Sequence, residues 1–411
     1  AAVARLRAAG AIVIGKTNVP EWGAGANSRN PVWGATGNAF DPMRNAGGSS
    51  GGSAVALACD MVPLATGSDT GGSLRIPAAL AGVVGVRPSP GVVPAERREL
   101  GWSPLSVVGP MGRTVADARL QLSAIAGPDA VDPLSYPLPA DAFHTGRPVD
   151  PGRLRIAYTA DFGVCPVDPD IRAVFAERVS RIAALVGRCD PIDLSADMAV
   201  DMTAADRCFD VLRALSFVTG FGDVYRRDPD LLGPNVRDNY EIGAGLSLAD
   251  VGWAHREQTR IFRRFNELFA DYDLVLAPVT PVSPFPWTTL YPAAVDGVPA
   301  RNYYHWLGLT YLVTLTTNPA LSLPCGMDRH GLPFGLQVIA GHRQDAFLLD
   351  AAESLEAVFR GDPVLRRPIP DVRRLIDPVP ALRDLVTAAP PPALVRDDSV
   401  PPPVDREPAP S

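Results

Sequence analysis

Residues Gly67 to Pro77 read G-S-D-T-G-G-S-L-R-I-P, and 24 residues before Ser73 a second serine, Ser49, stands in G-G-S-S-G-G-S (Gly47 to Ser53). Both serines are presented on glycine-rich backbone. Closely spaced glycines let peptide N–H groups turn toward a common point, which an acyl-transfer site needs for its developing oxyanion. A flexible Gly/Ser linker does not fit, because Ala54 to Ala58 continues as a compact apolar helix.

Outward from this pair, strands and helices alternate. Residues 1–10 form a short helix stopped by Gly10, and Ala11 to Gly15 (A-I-V-I-G) read as a buried strand. Lys16 to Phe40 is loop-rich, and a helix over Ser53 to Cys59 leads to a strand at Met61 to Ala65. Val83 to Val86 is another apolar run, and Thr114 caps a helix over Val115 to Ala126 that Gly127 ends. After a polar connection over 128–150, Leu154 to Tyr158 reads as a strand. Asp168 then caps a helix reaching about Val186, with Pro169 at its first position. Ile171, Val174, Phe175, Val179, Ile182 and Leu185 fall on one face of it. Residues 200–271 are mainly helical, Leu274 to Ala277 and Gly335 to Ile339 are strands, and Asp345 to Phe359 is the last helix. The alternation predicts an α/β fold. Residues 361–411 hold 13 of the 43 prolines and form an extension expected to be disordered from about Ala388.

Composition narrows the partners. A net charge of −7 with scattered basic residues argues against a nucleic-acid face. No run of 18 apolar residues suggests a membrane span. Five cysteines without a C-x-x-C pair point to a reducing, cytoplasmic compartment. The chain starts at Ala1 without a methionine, so its true N-terminus is expected upstream, which leaves a signal peptide open.

Two short motifs mislead. Gly10 to Thr17 (G-A-I-V-I-G-K-T) satisfies the phosphate-loop pattern, but a helix precedes it, its variable positions are strand-like, and Pro20 follows. Gly47 to Gly51 satisfies G-x-S-x-G, but Phe40 to Ala46 (F-D-P-M-R-N-A) is not the strand a nucleophile elbow requires. None of the five histidines (His144, His255, His305, His330, His342) carries a signature around it, and each reads as structural.

Taken together, the two serine motifs closely resemble the signature of the amidase signature family of serine hydrolases. The resemblance extends through G-K-T-N-V-P-E-W (Gly15 to Trp22), G-V-R-P-S (Gly85 to Ser89) and G-P-M-G-R-T-V-A-D-A (Gly109 to Ala118). It returns at N-P-A-L-S-L-P-C-G (Asn318 to Gly326) and G-L-P-F-G-L-Q-V-I-A (Gly331 to Ala340). It implies a single large α/β domain over residues 1–360, with a mixed central sheet between helical layers and a signature core at 1–127.

The resemblance also implies a Ser–cis-Ser–Lys triad. Ser73 would be the nucleophile, and Ser49, in a cis peptide, would pass its proton toward a lysine. Backbone N–H groups of Thr70, Gly71, Gly72 and Ser73 would form the oxyanion hole. Asp69 and Arg75 flank Ser73 and read as an ion pair that stiffens the loop; Ser50 supports the site or caps a helix, and Ser53 reads as a cap. The implied partner is a small-molecule amide and, at most, a second copy of the chain in a homodimer; no cofactor or metal is implied.

One departure is chemical. The only lysine, Lys16, stands in the G-K-T-N stretch, whereas the family's catalytic lysine lies upstream of that stretch. Arginine stays protonated and cannot replace it as a base. The 411-residue chain is therefore expected to be nearly inactive or insoluble and the complete gene product to be an active amidase. Two further readings remain: the glutaminase component of a tRNA-dependent amidotransferase, and a catalytically dead fragment. Substrate contacts are expected from Trp22, the segment 200–250 and Tyr303 to Trp306.

Overall fold

Eight strands gather into one central sheet because their apolar runs are bounded by turns and by helices that cover them; two short ladders, Arg29–Asn30 with Gly34–Ala35 and Ala294–Val295 with Val298–Pro299, stand apart from it. The computed structural model describes residues 1–96, 98–192, 194 and 203–387. The tail expected to be disordered from about Ala388 lies outside the described residues. In chain order the elements are α1 (Ala2–Ala8), α2 (Gly51–Ala58), β1 (Ala65–Asp69), α3 (Arg75–Ala81), β2 (Val84–Arg87), β3 (Val107–Gly112) and α4 (Val115–Ile125). Then follow β4 (Arg155–Tyr158), α5 (Pro169–Ala183), β5 (Arg188–Pro191), α6 (Thr203–Arg227), α7 (Pro234–Ala244), α8 (Leu248–Glu267) and β6 (Leu274–Pro278). The last are α9 (Gly308–Thr316), β7 (Ala320–Met327), β8 (Pro333–Ala340) and α10 (Asp345–Phe359).

The eight strands lie in the order β1-β3-β2-β7-β8-β6-β4-β5. Pairing is antiparallel from β1 to β6 and parallel from β6 through β4 to β5, so the sheet is mixed. Helix α3 packs on β2, β7 and β8, while α4 packs on β3 and β2, α10 packs on β7 and β8, and these two helices pack on each other. The closeness of α3 to the sheet depends on Gly335, where a side chain would meet the Ala79 Cβ at 2.3 Å. Helices α6, α7, α8 and α9 form a further layer.

Local signals hold well at helix starts. Thr114 and Asp117 make the reciprocal cap of α4, and Asp168 accepts from the Asp170 N–H at the start of α5. Five of the six residues expected inside α5 are buried; Leu185 falls beyond the helix end and is exposed.

Strand placement departs from the pattern in several places. Ala11 to Gly15 is not a strand and is exposed, with Ile12 88% and Ile14 75% accessible. It has no ladder partner among the described residues, and a lone strand cannot satisfy its own N–H and C=O groups. The strand expected at Met61 to Ala65 begins only at Ala65, because A-T-G-S-D is the segment that pairs with Val107 to Met111. Three further strands carry weak signals. β3 contains Pro110, β7 contains Pro324 beside a register shift, and β5 is a polar edge strand. Helix α9 is buried all round, so it shows no amphipathic period.

Candidate active site

β1 ends at Asp69, and the chain turns through Thr70–Leu74 into α3; the loop before α2 brings Ser49 and Ser50 alongside. A main-chain bond ties the two segments: the Ser50 N–H donates to the Ser73 carbonyl at 3.2 Å. The Gly48–Ser49 peptide bond is cis. The Ser28 hydroxyl supports this loop from below, facing the carbonyls of Gly47 (2.9 Å) and Ser49 (3.2 Å) and accepting from the Gly51 N–H (3.0 Å).

Ser50 stands at the N-cap position of α2 but makes no side-chain cap; its hydroxyl lies against the Ser68 main chain. Ser53, expected as a cap, lies inside the helix. It donates to the Thr66 carbonyl (3.0 Å) and pairs with the Thr17 hydroxyl (2.8 Å), because the turn of α2 starts two residues earlier than the sequence pattern predicts.

Asp69 is the hub of the loop. Its carboxylate accepts from the N–H groups of Gly72 (2.9 Å) and Leu74 (3.2 Å), and from Arg75 Nε (3.0 Å) and Nη2 (2.9 Å). Arg87, from β2, adds a contact at 3.2 Å and also donates to the Asp69 carbonyl at 2.6 Å. All three side chains are fully buried. Burial pushes the Asp69 carboxyl up, but Arg75 and Arg87 together outweigh it and hold it at about 2. Burial lowers Arg87 to about 10, against the pull of Asp69. Arg75 also reaches the Thr310 carbonyl and Gln337, so it faces the interior and not the cavity.

The network corrects one expectation. Gly72 cannot serve the oxyanion, since its N–H is spent on Asp69 and it does not line the cavity. Its role is steric. With φ at +126° and the Thr310 Oγ1 only 2.3 Å from where a Cβ would lie, only glycine makes this turn. The N–H groups of Thr70, Gly71 and Ser73 have no acceptor among the described residues, and all three residues line the cavity.

That cavity has a volume of about 570 Å³. Ser73 and the nearly buried Ser49 both open onto it, and neither hydroxyl is hydrogen-bonded to a described residue. The opposite wall is one face of α6: Phe209, Arg213, Phe217, Gly220, Phe221 and Val224. Trp22 packs edge-on against Phe221 at 5.4 Å, and Tyr303, Tyr304 and Leu307 close the side. Of the expected substrate contacts, His305 and Trp306 stay outside, Trp306 being buried. Lys16 is exposed and does not line the cavity, nor does any described histidine.

Sequence reasoning assigns Arg87 no part in the site and does not resolve the α6 wall within the segment 200–250. Arg87 stands in the G-V-R-P-S motif, and the recurrence Phe209, Arg213, Phe217, Phe221 at every fourth residue is the signal available for the wall.

A serine hydroxyl beside peptide N–H groups that have no acceptor among the described residues is an arrangement that could serve acyl transfer. Comparison with known proteins places the chain among relatives. A family model described as "Amidase" matches residues 1–349. An acylamidase of Rhodococcus erythropolis is 34% identical over 369 residues, covering 87% of this chain and 74% of that protein. A glutamyl-tRNA(Gln) amidotransferase component from Thermus thermophilus is 37% identical over 377 residues, covering 86% and 77%. The crystal structure of a bacterial aryl acylamidase of the amidase signature family superimposes with a TM-score of 0.78 at 28% identity, covering 88% of this chain and 75% of that one. The mixed sheet, the serine-bearing loops and these matches across most of its length lead to one assignment: the chain belongs to the amidase signature family.

Proposed function

We propose that the protein hydrolyses a carboxylic acid amide to the acid plus ammonia or an amine, through an acyl-enzyme on Ser73. The observation that carries this reading is the position of the Ser73 hydroxyl in one cavity with the unspent N–H groups of Thr70 and Gly71. Ser73 Oγ attacks the carbonyl carbon, and the carbonyl electron pair moves onto oxygen, facing those donors. The Oγ proton passes to the Ser49 hydroxyl, which hands its own proton to the amide nitrogen as the C–N bond breaks. Water then repeats the attack, its proton returning through Ser49 to Ser73 Oγ as the acid leaves. Lys16 stands outside the cavity and takes no part in this relay.

The test is mass spectrometry of the protein after a reactive acyl or phosphonyl probe, together with release of amine from an amide panel. An adduct on Ser73 is expected. Ser73→Ala is expected to abolish it and to lower turnover by about 10³-fold or more, with thermal stability unchanged. Undiminished hydrolysis by Ser73→Ala, or an adduct on another side chain, overturns the reading; neither adduct nor turnover favours the inactive form. Similarity to amidotransferase components favours glutamine as a second substrate class. Glutamine preference over anilides in the same panel would select that reading.

A further inference from the structure

Five arginines of the described chain are buried: Arg75, Arg87, Arg119, Arg178 and Arg213. Four are paired with carboxylates, Arg75 and Arg87 with Asp69, Arg119 with Asp350, and Arg178 with Glu177. Arg213 is the exception. It is 8% exposed, lies on the cavity wall, and makes no ion pair among the described residues. The nearby acids Asp206 and Asp210 are engaged by Arg301 at 3.3 and 2.9 Å.

The side chain is held but not used up. Nε donates to Asn239 Oδ1 at 3.1 Å, and Nη2 donates to the Tyr303 hydroxyl. The guanidinium carbon lies 4.9 Å from the ring centre of Phe217 and 5.2 to 5.9 Å from those of Tyr304, Tyr303 and Phe209. Nη1 has no hydrogen bond among the described residues, and Arg213 is one of the residues that line the cavity. A cation withdrawn from water without a counter-charge is unfavourable. Aromatic faces offset part of that cost and also orient the fork. A ligand carboxylate would supply the remainder through a charge-assisted bond.

We propose that Arg213 binds a carboxylate on the substrate, so that the cavity takes amides carrying an acidic group beside an aryl part that packs on Phe217 and Trp22. This rests on the acyl-transfer reading of the same cavity. A carboxylate on the amine side and one on the acyl side present the same chemistry to Arg213.

Binding separates the two cases without requiring turnover. In the Ser73→Ala background, affinities are measured by calorimetry at neutral pH for N-benzoylglycine and its methyl ester, and for succinanilic acid and its methyl ester. In at least one pair the acid is expected to bind tenfold or more tightly than the ester, and the preferred pair identifies the side. Arg213→Met is expected to abolish the advantage of the acid over the ester. Arg213→Lys is expected to keep part of the preference. A residue that only braces Asn239 and Tyr303 would give no difference between acid and ester. Equal binding of acid and ester in both pairs overturns the proposal, as does a preference that survives Arg213→Met. Should Arg213→Met lose its cooperative melting transition, the acid–ester comparison and Arg213→Lys decide alone. Failure of the hydrolase reading registers separately, as absence of an adduct on Ser73 in the unsubstituted protein.

Discussion

Asp69 gathers two main-chain N–H groups and two arginines within a fully buried pocket, whereas Arg213, on the helix across the cavity, has rings around it and makes no ion pair among the described residues. The first arrangement closes on itself and leaves nothing for a ligand. Its product is a braced turn in which Thr70 and Gly71, whose N–H groups have no acceptor among the described residues, line the cavity. The second is left incomplete, with one guanidinium nitrogen unbonded among the described residues on a side chain that lines the cavity. A reaction centre needs donors that do not move, and a recognition wall needs unspent capacity for the ligand to complete. On the function proposed above, the two walls of one cavity would meet these needs by opposite allocation of the same residue types.

The comparison breaks most visibly at Asp69. Asp69→Ala leaves Arg75 and Arg87 buried without a counter-charge, a loss of about 3–5 kcal/mol. Chemical denaturation is expected to show that loss, with Ser73 labelling falling in parallel. Retained stability with a changed substrate preference would mean that Asp69 belongs to the recognition side instead. The same carboxyl sets an acid limit. Its folded value of about 2 lies below the ordinary value of about 3.9, so its stabilisation is complete above about pH 4 and is lost as pH falls toward 2.

On the other wall, Trp22 is 70% exposed and touches Phe221 by its edge. Trp22→Ala is expected to raise KM by up to about tenfold, with kcat and melting temperature nearly unchanged. A fall in stability comparable to that of Asp69→Ala would erase the distinction between the walls.

The smallest effect is expected away from both. Glu356 on α10 accepts from the Val115 N–H at the start of α4, and burial raises its carboxyl to about 7. A raised folded value means stability present below about pH 4.3 and lost as pH rises through about 7. Glu356→Gln is expected to flatten that decline without altering Ser73 labelling or KM, as measured by melting temperature against pH.

Helix starts at Thr114 and Asp168, the breadth of the α5 face and the position of α10 are legible because capping and 3.6-residue periodicity act between near neighbours. Strands are less so. Ala11 to Gly15 has the β-branched composition of a strand and lacks a partner among the described residues, whereas A-T-G-S-D lacks the composition and has one. Within the site, the two serine loops stand out in the residues themselves. The α6 wall does not, since a four-residue recurrence of Phe and Arg reads equally as a buried face.

By itself the sequence determined which segments could bend sharply enough to present Ser49 and Ser73, and where its capped helices begin. Glycine freedom and capping are properties of a residue and its immediate neighbours. Only the tertiary structure decided that, among the described residues, the Gly72 N–H goes to Asp69 while those of Thr70 and Gly71 find no acceptor, and that Arg213 is the buried arginine without an ion pair. Those outcomes depend on how a fixed number of donors and acceptors is shared among groups brought together from Asp69 to Gln337, and no local pattern records that division.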